Sequence, residues 1–355
     1  MRVGLISPPF IPVPPKLYGG TELFVAHLAE GLQQRGIDVV VYSNADSTVK
    51  AENRFIYGKS EWPVESEIHA QFKDANHTAW AVRDAADSCD IIHLNNATGI
   101  AYSRFLNAPF VCTVHHPKVP ELSEFYRFYP DVTYVTISEA QRNLENMLHM
   151  QTIHHGISMD SYTLVEEKQP YLAFIGRIAP IKGTHLAIEI AKRSGIPLKI
   201  AGEVQPTFQS YFDAEVKPHI DGRFIEYIGP ADLAAKNELL GNAMAMLFPI
   251  QWNEPFGLVM IESMACGTPV IALDGGSARE VVRDGVSGWV CCSIDGAVEA
   301  TQTLHLPARR VRDYAQTLFS VEVMVDRYIR LYDSLLRHTL PIARPPCDDT
   351  LPAAA

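Results

Sequence analysis

Two glutamates, Glu254 and Glu262, stand eight residues apart in the run NEPFGLVMIESMACGTPVIA, residues 253–272. Pro255 and Gly257 punctuate a loop between them. Leu258, Ile261 and Ala265 then recur at helical spacing, and Gly267 supplies a stop. The amides of Phe256, Gly257 and Leu258 are expected at the open end of that helix, where unpaired N–H groups and the helix dipole favour an anion. One carboxylate precedes this end and the other lies two turns inside. A diphosphate seated there would have a hydroxyl-accepting group near each of its ends. That is the chemistry of a nucleotide sugar, which carries a hexose on one side and a ribose on the other. The plain alternative is a strand–helix unit with two solvated acids.

A second cluster supplies the opposite charge. In GRIAPIKG, residues 176–183, Arg177 and Lys182 lie in a loop framed by Gly176 and Gly183, between an apolar strand and a helix opening near Thr184. A planar guanidinium fork and a point-charge ammonium at such a junction suit a diphosphate. Fixed cations there could take the role a metal has elsewhere, stabilising a leaving diphosphate. No D-x-D element stands at a strand end, so no metal is expected. Gly19 and Gly20 close a long Pro-rich loop before another helix, with Thr21 as its candidate cap. This loop is not G-x-G-x-x-G, so a dinucleotide fingerprint is absent. His115 follows an apolar strand at the edge of the same cleft. Asn95 and Asn96 end another strand and either read hydroxyls of an acceptor or simply make a turn. Gly275, Gly276 and Glu280 are likewise either a turn or a ligand contact. Ser138 reads as a helix cap.

These residues need a scaffold that gathers strand ends. Candidate strands fall at 2–6, 38–43, 91–94, 110–114 and 133–137, then at 171–175, 198–201, 224–228, 245–249 and 269–273. They are apolar runs without strict alternation, separated by helical patterns, as in parallel sheets covered on both faces. The series breaks at the polar stretch 156–170. Two α/β domains are therefore expected, 1–165 and 166–320. Their motifs lie at the carboxyl ends of strands, where open parallel sheets bind ligands. Residues 321–338 read as an amphipathic helix, and 339–355 as a disordered Pro/Ala-rich tail.

With these motifs on the page, the chain resembles the retaining glycosyltransferases of family 4, which have the two-domain GT-B fold. The E-x7-E run and GR-x4-KG carry the resemblance. YGGTE (18–22), TVHH (113–116), ISEAQR (137–142), HHGI (154–157) and IALDGGSAREVVRDGVSGWV (271–290) support it. The resemblance spans roughly residues 1–335. It implies two Rossmann-like domains facing a central cleft, 1–165 on the acceptor side and 166–320 on the nucleotide-sugar side, with helix 321–338 crossing back to the first. Catalytic roles would fall to Glu254, His115, Arg177 and Lys182. The donor would be held by Gly19, Gly20, Arg177, Lys182, Phe256, Gly257, Leu258 and Glu262. Glu254 would face the sugar and Glu262 the ribose; His115 would contact the donor sugar or the reaction centre. His116 stands where the family usually has Asp, a departure on the acceptor side. The implied reaction moves a hexose from a nucleotide-diphosphate sugar to an acceptor hydroxyl with retention and without metal. UDP-glucose is the first expectation for the donor and GDP-mannose the second. No further cofactor is expected, because the nucleotide sugar is a co-substrate. A phosphorylase or nucleotide-sugar epimerase on the same fold, or a non-catalytic sugar-binding protein, are the alternatives.

Bulk properties narrow the partners. The 355 residues carry a formal net charge of −11, and residues 1–165 hold 12 Lys and Arg against 18 Asp and Glu. No basic stripe suggests nucleic acid or an anionic membrane surface. Apolar runs are far short of a membrane span. The six cysteines form no C-x-x-C pair and no zinc spacing. The first residues enter a strand without a secretory signal, so a cytoplasmic location is expected.

Overall fold

A computed structural model of the chain describes residues 1–16, 19–64 and 66–339. Among the described residues thirteen strands form two sheets. The first holds β1 (Arg2–Ile6), β2 (Asp38–Tyr42), β3 (Glu52–Arg54), β4 (Ile91–Leu94), β5 (Phe110–Val114), β6 (Thr133–Thr136) and β7 (Met150–Thr152). The second holds β8 (Gln169–Ile175), β9 (Leu198–Ala201), β10 (Ile225–Gly229), β11 (Ala243–Phe248), β12 (Val270–Leu273) and β13 (Gly288–Cys291). Their orders are β3-β2-β1-β4-β5-β6-β7 and β10-β9-β8-β11-β12-β13, and every pairing is parallel. Each sheet thus runs outward in both directions from its first strand. The turning points lie between β1 and β4 and between β8 and β11, where such sheets open a crevice. The fold is GT-B: two Rossmann-like α/β domains with parallel sheets.

Ten of the strands coincide with apolar runs in the sequence. The three others, β3, β7 and β13, are all sheet edges. β3 (ENR) and β7 (MQT) have no fully buried residue, and β13 buries only Gly288. An edge strand covered on one side needs no continuous apolar run, so it leaves little trace in the sequence.

Local signals are followed in most places. Ser138 Oγ accepts from the Gln141 amide at 2.9 Å and caps Glu139–Arg142. Helix Thr184–Ser194 ends on Lys192 and Arg193, with Gly195 left-handed at φ 72°. The cap expected at Thr21 is displaced. Helix Gly20–Gln34 starts one residue earlier, its N-cap is Gly19 at φ 144°, and no side chain caps it. Phe24, Leu28 and Leu32 of this helix are buried as their spacing requires.

Helix Val321–Thr339 packs on the first domain. Val325, Tyr328 and Tyr332 join Phe24, Leu28 and Leu32 in one apolar cluster. A Cβ on Gly31 would lie 2.4 Å from Val325 Cγ2, so glycine permits the close crossing of the two helices. A buried polar chain adds register. His93 Nδ1 meets Tyr332 Oη at 2.6 Å and its Nε2 meets Thr113 Oγ1 at 2.7 Å, which in turn meets Tyr328 Oη at 2.9 Å. Burial pushes the His93 imidazole down to about 3. The tail expected over 339–355 lies, from residue 340 on, outside the described residues. Among the described residues no helix is long and apolar enough to cross a membrane.

Candidate active site

A cavity of about 840 Å³ opens between the carboxyl ends of the two sheets. Arg177 and Lys182 reach it from the loop after β8, and Glu254 from the loop after β11. These are the two strands that flank the turning point of the second sheet. Phe256, Gly257, Leu258 and Glu262 complete that wall. Gly19, Gly20 and His115 line it from the first domain.

The C-terminal wall is charged and internally paired. Lys182 forms an ion pair with Glu254 Oε2. Trp252 Nε1 donates to the same oxygen at 2.9 Å, and the Lys182 ammonium sits 4.8 Å from the centre of the Trp252 ring. Both bonds fall on Oε2, which leaves Oε1 to accept from a ligand. Glu262, 1% exposed, accepts from Lys236 Nζ at 2.9 and 3.2 Å and from Tyr162 Oη at 2.9 Å. Arg177 meets Gln205 Oε1 at 3.4 Å and lies 5.5 Å from the Phe208 ring centre.

Two glycines let backbones approach where these side chains need support. Gly183 (φ 72°) turns the chain after Lys182, and a Cβ there would lie 1.9 Å from the Pro249 carbonyl. Gly276 (φ 50°) lets its loop brace the segment of Glu254, where a Cβ would lie 2.3 Å from the Glu254 backbone N and O. Ser277 finishes the brace. Its amide donates to the Glu254 carbonyl at 3.0 Å and its Oγ to the Phe256 carbonyl at 2.7 Å. The turn at 275–277 therefore holds the loop of Glu254. Helix Leu258–Ala265 begins at left-handed Gly257 (φ 79°), and no side chain caps it, so its terminal amides face the cavity side open to an anion.

Glu280 lies off the cavity wall and ties the two halves together. It accepts from the amides of Glu139 at 2.8 Å and Ala140 at 3.1 Å and pairs with His154. Its carboxyl is held below the usual range by His154 and these amides, against the opposing effect of burial.

At the centre of the N-terminal wall stand two imidazoles that burial keeps neutral, His115 and His155. His115 stacks on His155 with ring centres 5.3 Å apart and planes at 9°. His155 also meets Phe256 edge-on at 5.4 Å. Burial pushes His155 down to about 3, and His115 well below the ordinary imidazole value. His116, where the family's Asp is usual, meets Tyr126 Oη at 2.5 Å. Asn95 and Asn96 do not line the cavity. The Asn95 amide bonds Ile6 O at 3.0 Å and His115 at 2.9 Å. Asn96 donates to Asp74 at 3.0 Å and Thr78 at 2.7 Å.

Lys236, Trp252 and His155 are among the wall residues that the sequence did not point to. Lys236 sits in an unremarked helix 26 residues before its partner. HHGI had flagged His155, but only the fold brings it onto His115. Among the described residues no cluster of His, Cys, Asp and Glu has the spacing to hold a metal ion.

Comparison with known proteins speaks to the family and the fold. Residues 18–157 match the model of Glycosyltransferase Family 4, and residues 160–301 match that of Glycosyl transferases group 1. A phosphatidyl-myo-inositol mannosyltransferase of Mycobacterium leprae is 27% identical over 330 residues, 84% of this chain and 86% of that protein. Sucrose-phosphate synthase from Thermosynechococcus elongatus superposes with a TM-score of 0.80 at 18% identity, covering 95% of this chain and 99% of the other. HepE from Anabaena, in complex with UDP and glucose, superposes with a TM-score of 0.74 at 18% identity, covering 94% and 100%. Two consecutive family models span the chain from the glycine loop to the helix after β13, on a matching fold: the chain belongs to the group 1 glycosyltransferases of the family 4 type.

Proposed function

We propose that this glycosyltransferase moves a hexose from a nucleotide-diphosphate sugar to an acceptor hydroxyl, with retention of configuration and without a metal ion. The carrying observation is the meeting of Arg177, Lys182 and Glu254 at the turning point of the second sheet, beside the uncapped helix end at Gly257. A diphosphate there draws Lys182 and Arg177, and Glu254 then turns to the hexose hydroxyls. Glu262, deeper in the same wall and steadied by Lys236, holds the ribose. Charge builds on the leaving diphosphate in the transition state, and two fixed cations and a helix end offset it. The departing phosphate oxygen, on the same face of the sugar, takes the proton of the incoming hydroxyl. UDP-glucose leads as donor and GDP-mannose follows. The UDP and glucose bound to HepE and the mannosyltransferase relative support keeping both.

Thermal unfolding with a panel of nucleotide sugars tests donor binding. A true donor at about 100 times its dissociation constant adds about 2.7 kcal/mol of stability. Radiolabelled donor with an acceptor panel then separates transfer from phosphorolysis, epimerisation and binding alone, and the anomeric coupling in the product's proton spectrum reports retention. Turnover is expected to continue in excess EDTA. Loss of activity in EDTA that magnesium or manganese restores would overturn metal independence, and a panel without any stabilising nucleotide sugar would overturn the donor class.

A further inference from the structure

Asn95 follows β4 and Ile6 ends β1, the two strands at the turning point of the first sheet. Asn95 is 6% exposed, and its side-chain amide is engaged at both ends. Nδ2 donates to the Ile6 carbonyl at 3.0 Å, and Oδ1 stands 2.9 Å from His115 Nε2. A carbonyl has no proton to give, so the amide nitrogen must face Ile6. The reversed amide would set two acceptor oxygens against each other. The amide oxygen therefore faces the imidazole, and it can only accept. His115 Nε2 must carry the proton, and in a neutral ring Nδ1 then holds a bare lone pair.

That Nδ1 is buried without a hydrogen-bond partner, on a ring that lines the cavity. The surroundings keep the ring neutral. Burial acts first, followed by the neighbouring imidazoles of His155, His93 and His116. Phe24 closes another side edge-on at 4.9 Å. The ring thus holds an unused acceptor, itself covered from solvent, on a residue at the edge of the cavity.

We propose that Asn95 is a positioning residue: it fixes His115 as the Nε2–H tautomer, so that Nδ1 accepts a hydrogen bond from a hydroxyl of the sugar bound in the cleft. The use of the lone pair rests on the glycosyl-transfer reading above; the tautomer itself does not.

Nitrogen NMR of the full chain with labelled histidine, without ligand, reads the tautomer directly, with His115 assigned by its absence in His115→Gln. A protonated Nε2 and a bare Nδ1 near neutral pH are expected; a proton on Nδ1 would overturn the proposal. Two variants test the role. Asn95→Leu frees the ring and should lower kcat roughly tenfold with less than about twofold change in donor KM. Asn95→Asp keeps an acceptor against Nε2 but favours the charged ring. It also loses the donor to the Ile6 carbonyl, so its kcat stays below wild type even at high pH, and it should fall further as pH drops and Nδ1 gains a proton, a dependence the wild type lacks. A merely structural asparagine would give two variants with equal losses and pH profiles parallel to wild type, and that result would overturn the role. If both variants fail to fold, the wild-type spectrum still decides the tautomer. If the wild type moves no sugar while Nε2–H is seen, the transfer reading fails and the tautomer stands.

Discussion

The two walls of the cleft solve opposite problems. On the C-terminal side Lys182 pairs with Glu254 and Lys236 with Glu262, with Arg177 beside them. On the N-terminal side the central groups are His115 and His155, held neutral by burial, with Gly19 and Gly20. That wall also includes Lys16 and Asp46, but the Asp46 carboxylate accepts from the amide and hydroxyl of Ser60, both at 2.8 Å. Paired charges can exchange partners with a diphosphate at small desolvation cost, because the ligand replaces one ionic contact with another. Neutral rings can accept from hydroxyls without attracting a bulk anion. The difference fits the proposal that the charged wall takes the diphosphate together with the hydroxyls read by Glu254 and Glu262, while the neutral ring of His115 meets the sugar from the other side.

Acid and base should strain the buried groups in and behind the neutral wall first, which is the largest expected effect. Glu22, at the start of helix Gly20–Gln34, is buried, and its carboxyl is pushed up to about 7, mainly by desolvation. A folded-state value above the unfolded one means stability is fullest below about 4.5 and is lost as pH rises through about 7. Glu22→Gln should therefore be more stable than wild type at pH ~8 by roughly 2–4 kcal/mol, with the gap closing toward pH ~4.5. Histidines act in the other direction. His93 and His155 titrate near 3 when folded, below their unfolded value, so their contribution is present above about 6.5 and drains away as pH falls. In wild type the two trends oppose each other; in Glu22→Gln the acid loss should stand alone. Denaturant midpoints across pH give the check, and parallel curves for the two proteins would show that Glu22 is not a buried neutral acid.

The charged wall should break next. Lys182→Ala removes a charge-assisted bond worth roughly 1.5–3 kcal/mol and leaves Glu254 without its cation. Catalytic efficiency should fall at least about tenfold, toward about a hundredfold. Unchanged kinetics and donor affinity would remove Lys182 from the diphosphate site.

The smallest effect divides the two glutamates. Glu262→Gln weakens the Lys236 contact and the ribose acceptor, so product-diphosphate affinity should drop roughly tenfold and KM should rise more than kcat falls. Glu254→Gln should leave that affinity within about twofold and act on kcat. Calorimetric titration with the diphosphate discriminates, because this ligand has a ribose and no hexose. Equal losses in both variants would reverse the orientation assigned to the donor along helix Leu258–Ala265.

Short-range patterns fixed much of this molecule in advance. Apolar runs located the strands that are buried on both faces, and glycine spacing marked the loops that turn at Gly183, Gly257 and Gly276. Acids and cations near those loops announced the charged wall, because Arg177, Lys182 and Glu254 follow strand ends and Glu262 lies in the helix that opens after one of those loops. Three of the four edge strands, β3, β7 and β13, were not legible, since such half-exposed segments carry no apolar signature. Nor were the partners of the charges. Lys236 reaches Glu262 from another helix, and Trp252 steadies Glu254 through geometry that no spacing encodes. From its position Asn95 was either a hydroxyl reader or a turn residue, and the register of β1 against β4 sets its amide onto Ile6 and His115. Residue type and local period set which elements form and which chemistry they carry, because backbone conformation responds to nearest neighbours. Which side chains meet across the cleft, and which imidazole nitrogen keeps its proton, were decided by contacts between residues far apart in the chain, and only the tertiary structure makes those.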